Sequence, residues 1–334
     1  MTFTLFNMTL FLYLLSGFCY GLGIFSGKKA LSNAGSILLS LGLILNTLVI
    51  VKRWQIAGRP PFSNTYESLL LLSWCIGAVY FAIERIYKFR ALGWLAGFST
   101  AISLGYCSFL DSSIRPLVPA LQSNWLTIHV VVLFVSYASF TVSYVAALLY
   151  FFGRRGWEAN LALYSACLAG VGPGLILFLS QHKPWLGNWE LSRFTGNFTG
   201  FLALTFLILV LSAVIWVILY LVMKWIKINQ HLPSPDLLDN LVYKSIAFGF
   251  PLLAFGIIAG AVWANQAWGT YWSWDPKETW SLITLFIYAI YLHFRFMRGW
   301  KGAKSTWLSL IGFLAVVFTF IGVNYILSGL HSYA

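Results

Sequence analysis

Read for hydrophobicity alone, the chain is a succession of long apolar runs broken by short polar joints. A membrane-spanning helix needs about 20 apolar residues. Ten runs reach that length: 5–25, 31–51, 68–87, 91–110, 125–152, 161–180, 198–223, 243–263, 278–298 and 305–327. The predicted fold class is therefore all-α, a polytopic transmembrane helix bundle of about ten spans (eight at the fewest), forming a single integral membrane domain over 1–334. The sixth run contains Gly170-Val171-Gly172-Pro173-Gly174 and reads as a broken or re-entrant helix. Two runs open with helix-start chemistry. Asp275-Pro276-Lys277-Glu278 sets Asp at the N-cap, Pro at the first helical position and Glu at the third, a capping box at the positive end of the helix dipole. Asn64 and Glu67 repeat the same spacing.

Composition agrees with this pattern: 60% of residues are hydrophobic and 9% charged, where a soluble domain carries about a quarter charged. The net charge of +12 does not point to nucleic acid, because the charges sit in short joints between spans, where they set orientation. With both termini extracytoplasmic, 14 Lys and Arg fall in inner joints and 7 in outer ones, as the positive-inside rule demands. The joint 52–67 runs against this bias, with Lys52, Arg53 and Arg59 on the outer side. The same orientation puts the joints 111–124 and 264–277 and the tail 328–334 outside. The N-terminus lacks a basic segment and a small-residue cleavage site, so the first run reads as a spanning helix, and it lacks the Arg/Ser-rich character of a transit peptide. Cys19, Cys75, Cys107 and Cys167 form no C-x-x-C pair. No disulfide framework, dithiol relay or covalent haem on this chain is expected.

One joint carries unusual chemistry. The stretch WANQAWGTYWSWDPKETW holds Trp263, Trp268, Trp272, Trp274 and Trp280, with Tyr271 among them, and Gly269 permits a tight turn. An interfacial aromatic belt is the plain alternative; five indoles in one short stretch favour a flat aromatic binding floor. Asp275 reads first as the helix cap. Of five histidines, His182 and His231 sit beside prolines in joints. His129, one helical turn after Trp125, and His331, past the last run, share the outer side with the tryptophans. Two imidazoles and an aromatic floor on one face match the needs of haem, a flat apolar macrocycle whose iron takes axial imidazoles; a zinc site would want three or four close ligands. His293 lies 15 residues after Glu278, about 22 Å along a helix and towards the inner side. It reads either as an intramembrane functional group or as a boundary residue beside Arg295 and Arg298.

The tryptophan block WGTYWSWDPKETW resembles the signature of the WWD superfamily of haem-handling membrane proteins. With SNTYESLLLLSW (63–74), PLVPALQSNWLTIHV (116–130), the region 260–284, IYLHFR (290–295) and SGLHSYA (328–334), the chain is similar to the CcsA/ResC family of System II cytochrome c biogenesis, most of all to its cyanobacterial and plastid type. The resemblance implies a haem-delivery subunit of a holocytochrome c synthase (a haem lyase). It would present reduced haem b on the lumenal or periplasmic face of a thylakoid or bacterial membrane. The block, with Trp263, Trp268, Tyr271, Trp272, Trp274, Asp275 and Trp280, would grip the ring. His129 and His331 would ligate the outer iron, and His293 would receive haem on the inner side. Implied partners are a CcsB/ResB-type membrane subunit and apocytochromes c such as the cytochrome f and c6 types. A haem exporter with no part in attachment, and a scaffold with an aromatic cage for a cation, are the alternatives.

Overall fold

The structure, a computed structural model, describes residues 2–87, 90–154, 157–181, 198–226 and 232–327, and every regular element within them is helical. In chain order these are α1 (Thr2–Ser26), α2 (Lys29–Ala57), α3 (Thr65–Tyr87), α4 (Gly93–Cys107), α5 (Asn124–Phe152), α6 (Trp157–Gln181), α7 (Phe198–Ile226), α8 (Pro235–Trp268), α9 (Pro276–Met297) and α10 (Ala303–Val317). A single 3-10 turn, Pro119–Leu121, interrupts the joint before α5. The last helix continues through a π-turn, Phe318–Gly322, into Val323–Ile326. Among the described residues, nine helices are long and apolar enough to cross a membrane, within the expected range. The tenth, α4, has 15 residues, about 22 Å of helix.

Two expectations are corrected. The Gly170–Gly174 stretch does not break its run: α6 is helical throughout, with Pro173 inside it. A proline removes one backbone bond, but with no water to take up the other polar groups an apolar setting keeps them in the helix. The eighth helix is far longer than its apolar run, with 34 residues, about 51 Å against a hydrocarbon core of about 30 Å. Polar residues at both ends, Asp236, Asp239 and Asn240 before the run and Asn265 and Gln266 after it, hid those turns from a hydropathy reading.

The described chain divides into two compact units. The first comprises 1–146 and 240–272. Here α1 and α2 pack as a hairpin, with Ser16 Oγ donating to the Gly35 carbonyl at 2.8 Å, and buried Glu84 on α3 accepts from Tyr20 and from Arg90. Against them stands the pair α5 and α8, joined by a ladder of side chains donating to backbone carbonyls: His129 to Gly256 at 2.7 Å, Ser136 to Gly249 at 2.8 Å and Ser143 to Val242 at 3.3 Å. Each step is seven residues up one helix and seven down the other. That is the register of two antiparallel helices, and such bonds hold helices together where burial of apolar surface offers no drive.

The second unit comprises 147–239 and 273–334. Trp216 Nε1 on α7 donates to the Asn160 carbonyl on α6 at 3.1 Å. Arg295 on α9 pairs with buried Asp239 at 2.7 Å, and the same carboxylate caps the start of α10 by accepting from Gly302 N at 2.9 Å. At the other end of the α9–α10 pair Thr319, on the π-turn, hydrogen-bonds Thr284 at 3.2 Å, and Lys277 Nζ donates to Asn324 at 2.7 Å.

Candidate functional site

Three contacts within the first unit position His129. A carbonyl oxygen only accepts, so the 2.7 Å contact with Gly256 places a proton on Nδ1. In the neutral imidazole the lone pair then belongs to Nε2, the nitrogen a metal would take. An imidazole fixed by a carbonyl at its other nitrogen is how protein metal ligands are generally oriented. Gly260, one turn beyond Gly256, leaves room for the ring: a methyl group there would stand 2.5 Å from Nδ1. The buried Trp263 indole lies nearly parallel to the imidazole, ring centres 6.4 Å apart at 22°. That indole is itself fixed, since Nε1 donates to the Ala120 carbonyl of the 3-10 turn at 2.8 Å, and Trp268 meets it edge-on at 5.9 Å. His129, Trp263 and Trp268 are thus brought together by α5 and α8.

The joint predicted over 264–277 is shorter in the structure. Helix α8 runs through Trp268, so Trp263 and Trp268 are helical and the joint spans 269–275. Gly269 ends the helix with φ +80° as its amide bonds the Asn265 carbonyl at 3.0 Å, the left-handed stop glycine accepts without strain. Tyr271 and Trp274 are 59% and 70% exposed, and Trp272 is half-buried. Trp274 holds φ +58°, alone among the described non-glycine residues. A bulky side chain in that region is strained, a condition that concentrates at functional sites.

The capping box forms as expected. Asp275 accepts from Lys277 N at 2.9 Å, and Glu278 Oε2 accepts from Asp275 N at 3.2 Å. Glu278 also accepts from Ser273 N at 2.8 Å, so one carboxylate gathers the joint onto α9. Asp275 is buried and engaged as a cap. Trp280, in the first turns of α9, packs on Phe318 of the π-turn with centres 4.4 Å apart. Asn64 likewise caps α3, accepting from Glu67 N at 2.9 Å.

His293 has a contrasting setting. It is exposed on α9 in a stripe with Ile283, Phe286, Ile290 and Met297, while Thr284, Tyr288 and Tyr291 bury the opposite face. The unbroken helix bears out the separation of about 22 Å from Glu278. His331, His182 and His231 lie outside the described residues. Sequence reasoning missed Gly256 and Gly260, although GIIAG in an apolar run is the small-xxx-small pattern of close helix approach. It also missed Ala120, which acts through its backbone and has no side-chain signal, and Asn324, which needed the fold to meet Lys277.

A model of the cytochrome c assembly protein family matches residues 62–331 of the chain. The cytochrome c biogenesis protein CcsA of Synechocystis sp. is 38% identical over 334 residues, covering 98% of this chain and 96% of that protein. The CcsA proteins of Gloeobacter violaceus and Microcystis aeruginosa are each 37% identical, covering 88% and 92% of this chain and 84% and 90% of their own lengths.

Proposed function

Because this integral membrane chain belongs to the cytochrome c assembly protein family and serves cytochrome c maturation, we propose that it is the subunit that holds haem b for attachment to apocytochrome c. The observation that carries this reading is the setting of His129, with Nδ1–H committed to the Gly256 carbonyl, Nε2 presented as the ligand atom and Trp263 stacked beside the ring. His331 supplies the second axial imidazole. Trp263, Trp268, Tyr271, Trp272, Trp274, Asp275 and Trp280 form the ring-binding region, the indoles as stacking surface and Asp275 as the cap that fixes the joint. Haem is the substrate and brings two vinyl groups. Each substrate cysteine adds its S–H across one vinyl, sulfur to one carbon and hydrogen to the other, with no net oxidation. The chain contributes ligation and orientation, holding the iron until the histidine of Cys-x-x-Cys-His displaces one imidazole.

The site faces the lumen or periplasm of a thylakoid or bacterial membrane, with both termini on that side. Two of the three charges that run against this orientation are paired inside the protein. Arg53 and Arg59 are bound to the buried carboxylate of Glu67 at 2.9 Å each, so they act as structural ions and not as orienting joint charges. His293 on its exposed stripe is the inner haem ligand, and a CcsB/ResB-type subunit covers that stripe and provides the other ligand. An ionisable group facing lipid is costly, so a protein partner is the cheaper neighbour.

The test is covalent haem on a co-expressed apocytochrome c together with the visible spectrum of the purified complex. Wild type should show bis-imidazole ferrous haem and attachment. A His129→Gly, His331→Gly double variant should lose both. Attachment that continues in the double variant would refute the synthase role and leave a haem exporter.

A further inference from the structure

A buried polar cluster at the start of α3 contains none of the residues named above as ligands. Glu67, at the start of α3, is fully buried, and its carboxylate accepts four hydrogen bonds: from Arg53 Nε and Arg59 Nη1 at 2.9 Å each, and from Ser63 N and Ser63 Oγ at 2.9 and 3.0 Å. Arg53 also stands over the Tyr66 ring at 4.7 Å. Burying an ion triad contributes little net stability compared with an apolar cluster of the same size; what it supplies is a fixed geometry. The arginines use their remaining donors on one short stretch of chain. Arg53 donates to the carbonyls of Ser112 and Ser113 at 2.9 and 3.3 Å, and Arg59 to that of Arg115 at 3.2 Å.

Those carbonyls open the joint between α4 and α5, and the joint is braced along its length. Asp111 accepts from Ser113 N at 2.9 Å and from Arg115 at 2.7 Å. Gln122 N donates to the Pro119 carbonyl at 3.1 Å, and the Gln122 side chain to Leu117 at the same distance. The joint then reaches α8 twice: the Ala120 carbonyl accepts the Trp263 indole N–H at 2.8 Å, and Ser123 Oγ donates to Gln266 at 2.8 Å. Six residues after Ser123 comes His129.

We propose that the Arg53–Glu67–Arg59 cluster is a positioning device for His129: it anchors the 111–123 joint on α2 and α3, and the joint sets the Trp263 indole that stacks on the imidazole. Glu67 touches neither His129 nor Trp263; it acts through backbone carbonyls. The anchoring stands on the contacts alone, and its consequence for haem rests on the reading of His129 as a ligand.

Hydrogen exchange of the full chain, purified without added haem, tests the anchoring directly. Glu67→Gln leaves Arg53 and Arg59 without their counter-charge, and Arg53→Gln removes two carbonyl contacts. Both variants should raise exchange about tenfold in peptides 111–123 and 124–130, with 70–80 unchanged, and Glu67→Asp should recover part of the protection. Faster exchange confined to 111–115, with 124–130 at the wild-type rate, overturns the proposal. So does an Arg53→Gln variant at wild-type rates throughout, which also decides the matter if Glu67→Gln fails to fold. Haem added to the same proteins gives a separate readout. Wild type should show a low-spin band that Glu67→Gln weakens. No band in wild type would sink the ligand reading and leave the exchange result standing.

Discussion

Helices α5 and α9 each carry one histidine, and the two are built in opposite ways. Most of α5 is buried within the protein, whereas most of α9 is not. His129 meets a carbonyl, a glycine-lined gap and an indole, all within one unit of the chain. His293 sits on an exposed stripe of large apolar side chains, Ile283, Phe286, Ile290 and Met297. One imidazole is oriented by its own polypeptide; the other is exposed on its helix. Under the function proposed above, the first site would be competent in the isolated chain and the second completed only on assembly.

The strongest test of this contrast is to remove each imidazole from the chain purified without a partner. His129→Gly should abolish low-spin haem absorbance, with free imidazole restoring part of it, and His293→Gly should leave the spectrum unchanged. The reverse result would mean that the exposed histidine is the self-sufficient one. Next in size is Gly260→Ala. Its methyl group would lie 2.5 Å from Nδ1, so the ring or the helix must shift, at about 1–3 kcal/mol for an overpacked core. Thermal unfolding should report that loss, along with a change in the haem spectrum, while Ala289→Gly on α9 should leave the spectrum alone. Asp275→Ala removes the cap of α9 and should cost about 1 kcal/mol, seen as faster exchange in 273–279. The smallest effect on the chain itself belongs to Ile290→Ala. A change on an exposed face shifts stability by no more than about 0.5 kcal/mol, yet it should reduce co-purification of the CcsB/ResB-type subunit. Unaltered co-purification would argue that lipid, and not protein, covers the stripe.

The helices were legible because a bilayer imposes a minimum apolar length and one chemistry on its spans. All ten apolar runs correspond to helices, and the caps at Asp275 and Asn64 were readable from residue type and spacing alone. The boundaries of α8 were not, because helix continuation depends on backbone bonding and a hydropathy window does not see it. The histidine at 129 was visible as a residue, but its tautomer depends on a carbonyl 127 positions away. The ladder of 129, 136 and 143 against 256, 249 and 242 needs two helices aligned in register before any rung can be recognised. The pairing of Arg53 and Arg59 was hidden for the same reason. Both are bound to Glu67, a glutamate that the sequence presents merely as a helix-start residue.

The π-turn at Phe318–Gly322 has a consequence for how the chain tolerates insertions and deletions. A residue in an α-helix advances the side-chain direction by about 100°, and a π-turn accommodates one residue more than an α-helical path would. Everything beyond it is set at a phase the preceding part of α10 does not dictate. Asn324 meets Lys277 only at that phase. Deleting one residue from 318–322 would leave a smoother helix, with better local geometry and the same composition, and would swing Asn324 away from α9. The turn acts as a dial setting in which the irregular position is the one that lets Asn324 reach Lys277, so here a more ideal helix would lose a contact between α9 and α10.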